Sequence, residues 1–179
     1  KAIEIGNSYT IDELIFRIIA YSDNNANALL LRDIDINIYS QVYRDLGIEI
    51  PGIRKSEDFM PVKLFASFFR ILYNASYLNR EMSEKALDYL SAADFTLGLV
   101  AGVPSNIVVA QKFGERRITD GRYRDVKELH DCGIVYYPGR PYLLCVMSRG
   151  DKFEPLYTVI KDISYHVYKE VNRQHSEQK

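Results

Sequence analysis

Apolar residues recur along this chain at two different intervals, and the change from one to the other falls after Pro104. Before it the spacing is helical. Ile11, Leu14, Ile15, Ile18 and Ile19 follow one another three and four apart behind Thr10 and Glu13, a capping-box pair, so an amphipathic helix is predicted over 10–21. Ser22-Asp23-Asn24-Asn25 stops it, because such side chains bond the neighbouring backbone instead of continuing a helix. Helix resumes around 26–31, which leaves a polar knuckle between two helices. A shorter candidate over 38–46 ends at Gly47, with Pro51-Gly52 in the loop that follows. Asp58 and Pro61 open a longer helix on which Leu64, Phe65, Phe68, Phe69 and Leu72 share one face as far as Tyr73. Another is predicted over roughly 82–92, after a break near Asn79.

After Pro104 the runs become short, β-branched or aromatic, and bounded by turn residues. Asn106–Lys112, Leu129–Tyr137 and Tyr142–Ser148 are predicted strands, the last two joined by a hairpin at Pro138-Gly139-Arg140-Pro141. The charged segment Glu115–Lys127 reads as a loop, and a helix rich in Tyr and Ile over 153–172 closes the chain. Helices, then an antiparallel sheet, then a covering helix define one α+β domain over 1–179, mainly helical over 1–104 and sheet plus helix over 105–179.

Composition narrows the function without naming it. At 179 residues and 47% apolar content the chain can bury about 70% of its unfolded surface in one core. A net charge of -1, from 23 basic and 24 acidic residues, gives no polyanion-binding face, so nucleic acid is excluded as a first expectation. No stretch reaches the ~20 apolar residues of a membrane span. The chain begins at Lys1 with neither an initiator Met nor a signal peptide, which reads as a soluble fragment. Cys132 and Cys145 do not have metal-ligand spacing and are expected to be buried thiols. No metal or cofactor is implied. The fourteen tyrosines are read as core and rim packing, not as a stacking platform for bases.

Two motifs carry chemistry: Ser22-Asp23-Asn24 on the knuckle and Lys112-Phe113-Gly114 at the end of the first predicted strand. They resemble the SDN and KTG elements of class A β-lactamases and penicillin-binding proteins. An SDN tripeptide is expected by chance only about 0.04 times in such a chain. The surrounding text extends the likeness over nearly the whole length, since YSDNNANALLL resembles the family's SDN helix. VVAQKFGE, followed by HDCGIVYYPGRPYLLCVMSRG, resembles its three-strand finish. The resemblance implies a β-lactamase/transpeptidase-like fold, a serine hydrolase acting on β-lactams or a related acyl-peptide, and a location outside the cytoplasm. It assigns Ser22 to a proton relay and Asn24 to the substrate's side-chain amide, with Lys112 supplying positive potential. Gly114 would allow close approach of the ligand, and the N–H of Glu115 would be one oxyanion donor. Asp23 would brace the turn. His130 and Asp131 are neighbours on a strand and point to opposite faces, so they are read as structural instead of as an acid–base pair.

Three departures qualify the resemblance. The family's Ser-x-x-Lys does not occur in residues 1–21, and the one match, Ser176 to Lys179, lies at a terminus where it counts as noise. The nucleophile helix and the N-terminal strands would precede residue 1, which leaves the edge at Tyr142–Ser148 open to pairing with that segment or another chain. No Glu with an Asn four residues on follows the SDN helices: Glu49 meets Ile53 and Glu57 meets Pro61, so slow deacylation is expected. Phe113 replaces a hydroxyl that would bind the substrate carboxylate. The alternative reading is a non-catalytic relative that binds cell-wall peptide or a protein partner through the same cleft.

Overall fold

The computed structural model describes residues 2–48, 60–119 and 125–177. Five helices lead: α1 (Ile11–Tyr21), α2 (Asn24–Asp33), α3 (Ile36–Asp45), α4 (Val62–Tyr73) and α5 (Arg80–Ser91). A 3-10 segment at Leu99–Gly102, not foreseen from the pattern, precedes three strands, β1 (Val109–Ile118), β2 (Val126–Val135) and β3 (Tyr142–Gly150), and α6 (Phe153–Ser176) closes the chain. The α+β arrangement expected from the sequence is the one found.

Local chemistry sets the helix starts. The Thr10 hydroxyl accepts from the Glu13 N–H, and the Glu13 carboxylate accepts from the Thr10 N–H, which completes the capping box of α1. Asp23 caps α2 by accepting from the N–H groups of Asn25 and Ala26, while Asp35 and Asn79 cap α3 and α5. Helices α2, α3 and α5 therefore each begin about two residues earlier than apolar spacing alone places them. Pro51-Gly52, Asp58, Glu49 and Glu57 lie outside the described residues, as does Lys179.

The strands pair antiparallel in the order β1-β2-β3. The charged segment expected to be a loop enters the sheet at both its ends: Glu115 to Ile118 pair with Leu129 to Val126. Cross-strand partners keep those polar residues in the ladder although composition argues for a turn. Lys112, Phe113 and Gly114 consequently lie in the middle of β1 and not at its end.

Each face of the sheet carries its own core. On one, Val109, Leu129 and Val135 pack with Phe95, Leu99, Leu156 and Ile160, which brings α6 and the 3-10 segment onto the strands. On the other, Ala110, Cys132 and Ile134 pack with Phe69 of α4 and with Leu87 and Leu90 of α5. A side chain at Gly102 would collide with the backbone of Lys161 and Tyr165, so glycine permits the 3-10 segment to press against α6. The Ser164 hydroxyl seals that contact by donating to the Leu99 carbonyl at 2.8 Å.

Cys132 and Cys145 face one another directly across β2 and β3, with Cα atoms 4.0 Å apart, and are joined as a disulfide. The expectation of two thiols is thereby corrected. Spacing along the chain could not reveal that the register sets these two residues side by side.

Candidate functional site

Period-two alternation along β1 sends Ala110, Lys112, Gly114 and Arg116 to the face covered by α4 and α5, and Gln111, Phe113 and Glu115 to the face covered by α6. The knuckle after α1 meets the first of these faces. Ser22 caps α1 in the left-handed backbone region, at φ 52°, a conformation that costs a non-glycine residue about 1–3 kcal/mol and needs support from its surroundings. Asp23 supplies that support. It is buried, and its carboxylate also accepts from the Ile3 N–H at 2.8 Å while capping α2, so three backbone groups hold the corner.

With the corner fixed in this way, the Lys112 ammonium donates a hydrogen bond to the Ser22 hydroxyl and so joins the knuckle to β1. The two motifs, ninety residues apart in sequence, therefore meet. Burial holds the Lys112 ammonium below its ordinary pKa, and the carboxylates of Asp131 and Asp94 partly offset the effect. Asp94 lies on the segment that the Asp94 N–H ties to the Ala20 carbonyl at the end of α1, next to Ser22. Asn24, the first residue of α2, is exposed beside the same corner.

Phe113 and Glu115 occupy the opposite face. The Phe113 ring stacks on Phe95 with centroids 4.2 Å apart, and the Glu115 carboxylate accepts from the Tyr157 hydroxyl at 2.7 Å. Position 113 thus presents packing in place of a donor. Gly114 has a specific reason to be glycine: a β-carbon there would fall 2.2 Å from the His130 ring, which lies across it. His130 also meets Phe65 of α4 edge to face, and burial followed by the Lys112 charge lowers its pKa.

His130 lies over Gly114 on one face of β2 and Asp131 meets Leu99 on the other, so the two neighbours diverge as strand alternation implies. Asp131 is fully buried under the α6 face, with one carboxylate oxygen accepting from the Leu99 N–H at 2.8 Å and the other without a hydrogen-bond partner among the described residues. Burial pushes its pKa up to about 7, against the opposing pull of the Leu99 hydrogen bond and the Lys112 charge. Gln111 makes a companion contact by donating to the Phe95 carbonyl. Together they clamp the segment from Phe95 to Leu99 onto the sheet beneath Lys112. The signal available in the sequence was a charged residue inside an apolar strand, Asp131 before Cys132-Gly133-Ile134-Val135. Among the described residues no cluster of His, Cys, Asp and Glu could hold a metal ion.

Comparison with known proteins follows the same lines. A family profile described as the beta-lactamase enzyme family matches residues 1–171. No curated protein sequence gives a significant match. Among solved structures, one of PBP-A aligns at 19% identity and a TM-score of 0.75, over 96% of this chain and 64% of its own length. A class A beta-lactamase from Bacteroides cellulosilyticus aligns at 20% identity with a TM-score of 0.72, over 90% of this chain and 64% of its own. The TLA-3 extended-spectrum beta-lactamase aligns at 19% and 0.76, over 91% and 65%. The chain therefore spans just under two thirds of the length of these structures, and at such identities the likeness concerns the fold.

Proposed function

The chain belongs to the beta-lactamase enzyme family, and from that premise we propose that the crevice between Ser22 and Lys112 serves acyl transfer on a β-lactam or a related acyl-peptide. One observation carries the reading: a serine held in strained backbone accepts a hydrogen bond from a half-buried ammonium across two distant elements. In an acyl-transfer step Lys112 stabilises negative charge, and Ser22 passes a proton toward the leaving nitrogen. Asn24 orients the substrate amide, and the Glu115 N–H beside Gly114 donates to the oxyanion. The 179 residues contain no Ser-x-x-Lys ahead of Ser22, so the reading leaves the nucleophile to a segment outside them and treats these residues alone as inactive. The Cys132–Cys145 disulfide supports an oxidising, extracytoplasmic setting.

A second reading, a non-catalytic relative that binds cell-wall peptide or a protein partner through the same region, draws on Phe113, whose ring stacks on Phe95 and offers the substrate carboxylate no hydroxyl. Labelling with a fluorescent penicillin separates the two, using a polypeptide extended to contain Ser-x-x-Lys. A stable acyl adduct, lost about 100-fold in rate on Lys112→Met, is the expected result, with slow release of the label. Absence of any adduct at millimolar probe leaves only the binding reading, and rapid turnover of a chromogenic cephalosporin contradicts slow deacylation.

A further inference from the structure

Lys112 and Phe113 leave β1 on opposite faces, but among the described residues β1 has a strand neighbour on one side only. At such an edge the flexible stem of a lysine can bend back past its own backbone. The Lys112 stem does so: its Nζ lies 5.3 Å from the centroid of the Phe113 ring, inside the ~6 Å over which a ring face attracts a cation. The Ser22 hydroxyl accepts one hydrogen bond from the same ammonium. The Phe113 carbonyl stands 3.5 Å away, longer than a firm N–H···O bond. A single firm hydrogen bond lets a half-buried ammonium swing about the last torsions of its stem, so the ring is the contact that fixes its second direction.

The ring is itself held in place. It stacks on Phe95 with centroids 4.2 Å apart and planes 14° from parallel. Phe95 in turn meets the Tyr157 ring at 5.9 Å, and its carbonyl accepts from the buried Gln111 amide. Gly98 lets the same segment close down on the sheet, since a β-carbon there would fall 2.7 Å from the Phe95 ring. The titratable groups facing Lys112 are Asp94, which follows α5, and His130 and Asp131 of β2, and both carboxylates favour the ammonium through space. A ring differs from a hydroxyl at position 113 in one respect that matters here. It attracts the ammonium without accepting a hydrogen bond at oxygen, so the N–H donors remain for Ser22 and for a ligand. While Lys112 donates to the Ser22 oxygen, the hydroxyl's own proton has to point elsewhere.

We propose that Phe113, backed by Phe95, is a positioning residue: its ring holds the Lys112 ammonium against Ser22 and so directs the Ser22 proton toward the leaving nitrogen. The consequence for the proton rests on the acyl-transfer reading above, whereas the contact between ring and ammonium is independent of it.

The test replaces Phe113 by phenylalanine carrying one, two or three ring fluorines, in the polypeptide that contains Ser-x-x-Lys. Fluorine withdraws charge from the ring face while changing its size little, so packing on Phe95 is kept as the attraction for a cation weakens. Lysine labelled at the ε-carbon, with Lys112 assigned by its loss in Lys112→Arg, reports the contact by NMR. In the parent the ε-protons of Lys112 should resonate upfield of the other lysines, because they lie in the shielding region of the ring. The alkaline titration midpoint of Lys112 should fall stepwise with fluorine number, by about one pH unit for three fluorines, while the other lysines keep theirs. Acylation by a fluorescent penicillin should slow in the same order, by about fivefold at three fluorines, through the rate at saturation and not through apparent affinity. An ε-proton signal at the ordinary lysine position, or a midpoint indifferent to fluorine, overturns the inference whatever the acylation rate. Acylation that proceeds unchanged across the series overturns it too and leaves acyl transfer intact. If the NMR series behaves as expected but no variant, parent included, is acylated, the acyl-transfer reading fails and the ring stands as the anchor of Lys112 in a binding site.

Discussion

The two faces of the three-stranded sheet each bury an ionisable side chain, yet they use it differently. Under α6, Asp131 is fully buried and meets one backbone N–H, that of Leu99. Under α4 and α5, Lys112 is only half buried and donates to the Ser22 hydroxyl. The α6 face closes over its polar group as core. The helical face leaves His130 lining a cavity between α4 and the ends of the strands. Alternation along a single strand, Lys112 up and Phe113 down, assigns neighbouring residues of one motif to two separate tasks.

The strongest way to break that contrast is a cavity in the sealed face. Ile160→Ala should lower the unfolding free energy by about 4 kcal/mol with little change in denaturant dependence, as urea titration would show. A loss below about 1 kcal/mol would mean that the α6 face is no better packed than the open one. The next effect concerns pH. The folded Asp131 carboxyl keeps its proton up to about 7, whereas the unfolded one releases it near 3.8, so the folded state binds more protons in that window. Stability therefore falls as pH rises through it, by a contribution on the order of 4 kcal/mol. Asp131→Asn keeps an acceptor for Leu99 and should remove this contribution, making the variant more stable than the parent above pH 7. An unaltered profile in thermal melts at several pH values would show that Asp131 pays no burial cost. The smallest effect sharpens the comparison from the other side. Lys112→Met should change unfolding free energy by less than about 1 kcal/mol, because the lost hydrogen bond to Ser22 is offset by relief of a half-buried charge. A large loss would make Lys112 a structural residue and weaken its place in the proposed chemistry.

The candidate site was partly legible in the chain for a local reason. Ser22-Asp23-Asn24 stops a helix and starts another through side-chain contacts within three residues, and Lys112-Phe113-Gly114 stands in a strand of recognisable composition. That His130 packs over Gly114 on the adjacent strand is set by register, which a one-dimensional pattern does not show. Polarity in the stretch from Glu115 onward predicts a loop, because polarity alone does not reveal the cross-strand partners that hold residues 115–118 in the ladder.

By itself, then, the sequence determined the class of fold, the order of helices and strands, the caps, and the two motifs, since periodicity and capping depend on residues within a turn or two of each other. Only the tertiary structure decided that Ser22 meets Lys112, that Phe113 turns away from them, that Cys132 bonds Cys145, and that Arg116 and Arg149 flank Glu128. Those facts follow from register and from packing between elements distant along the chain, where a shift of one residue would exchange every side chain from one face of the sheet to the other.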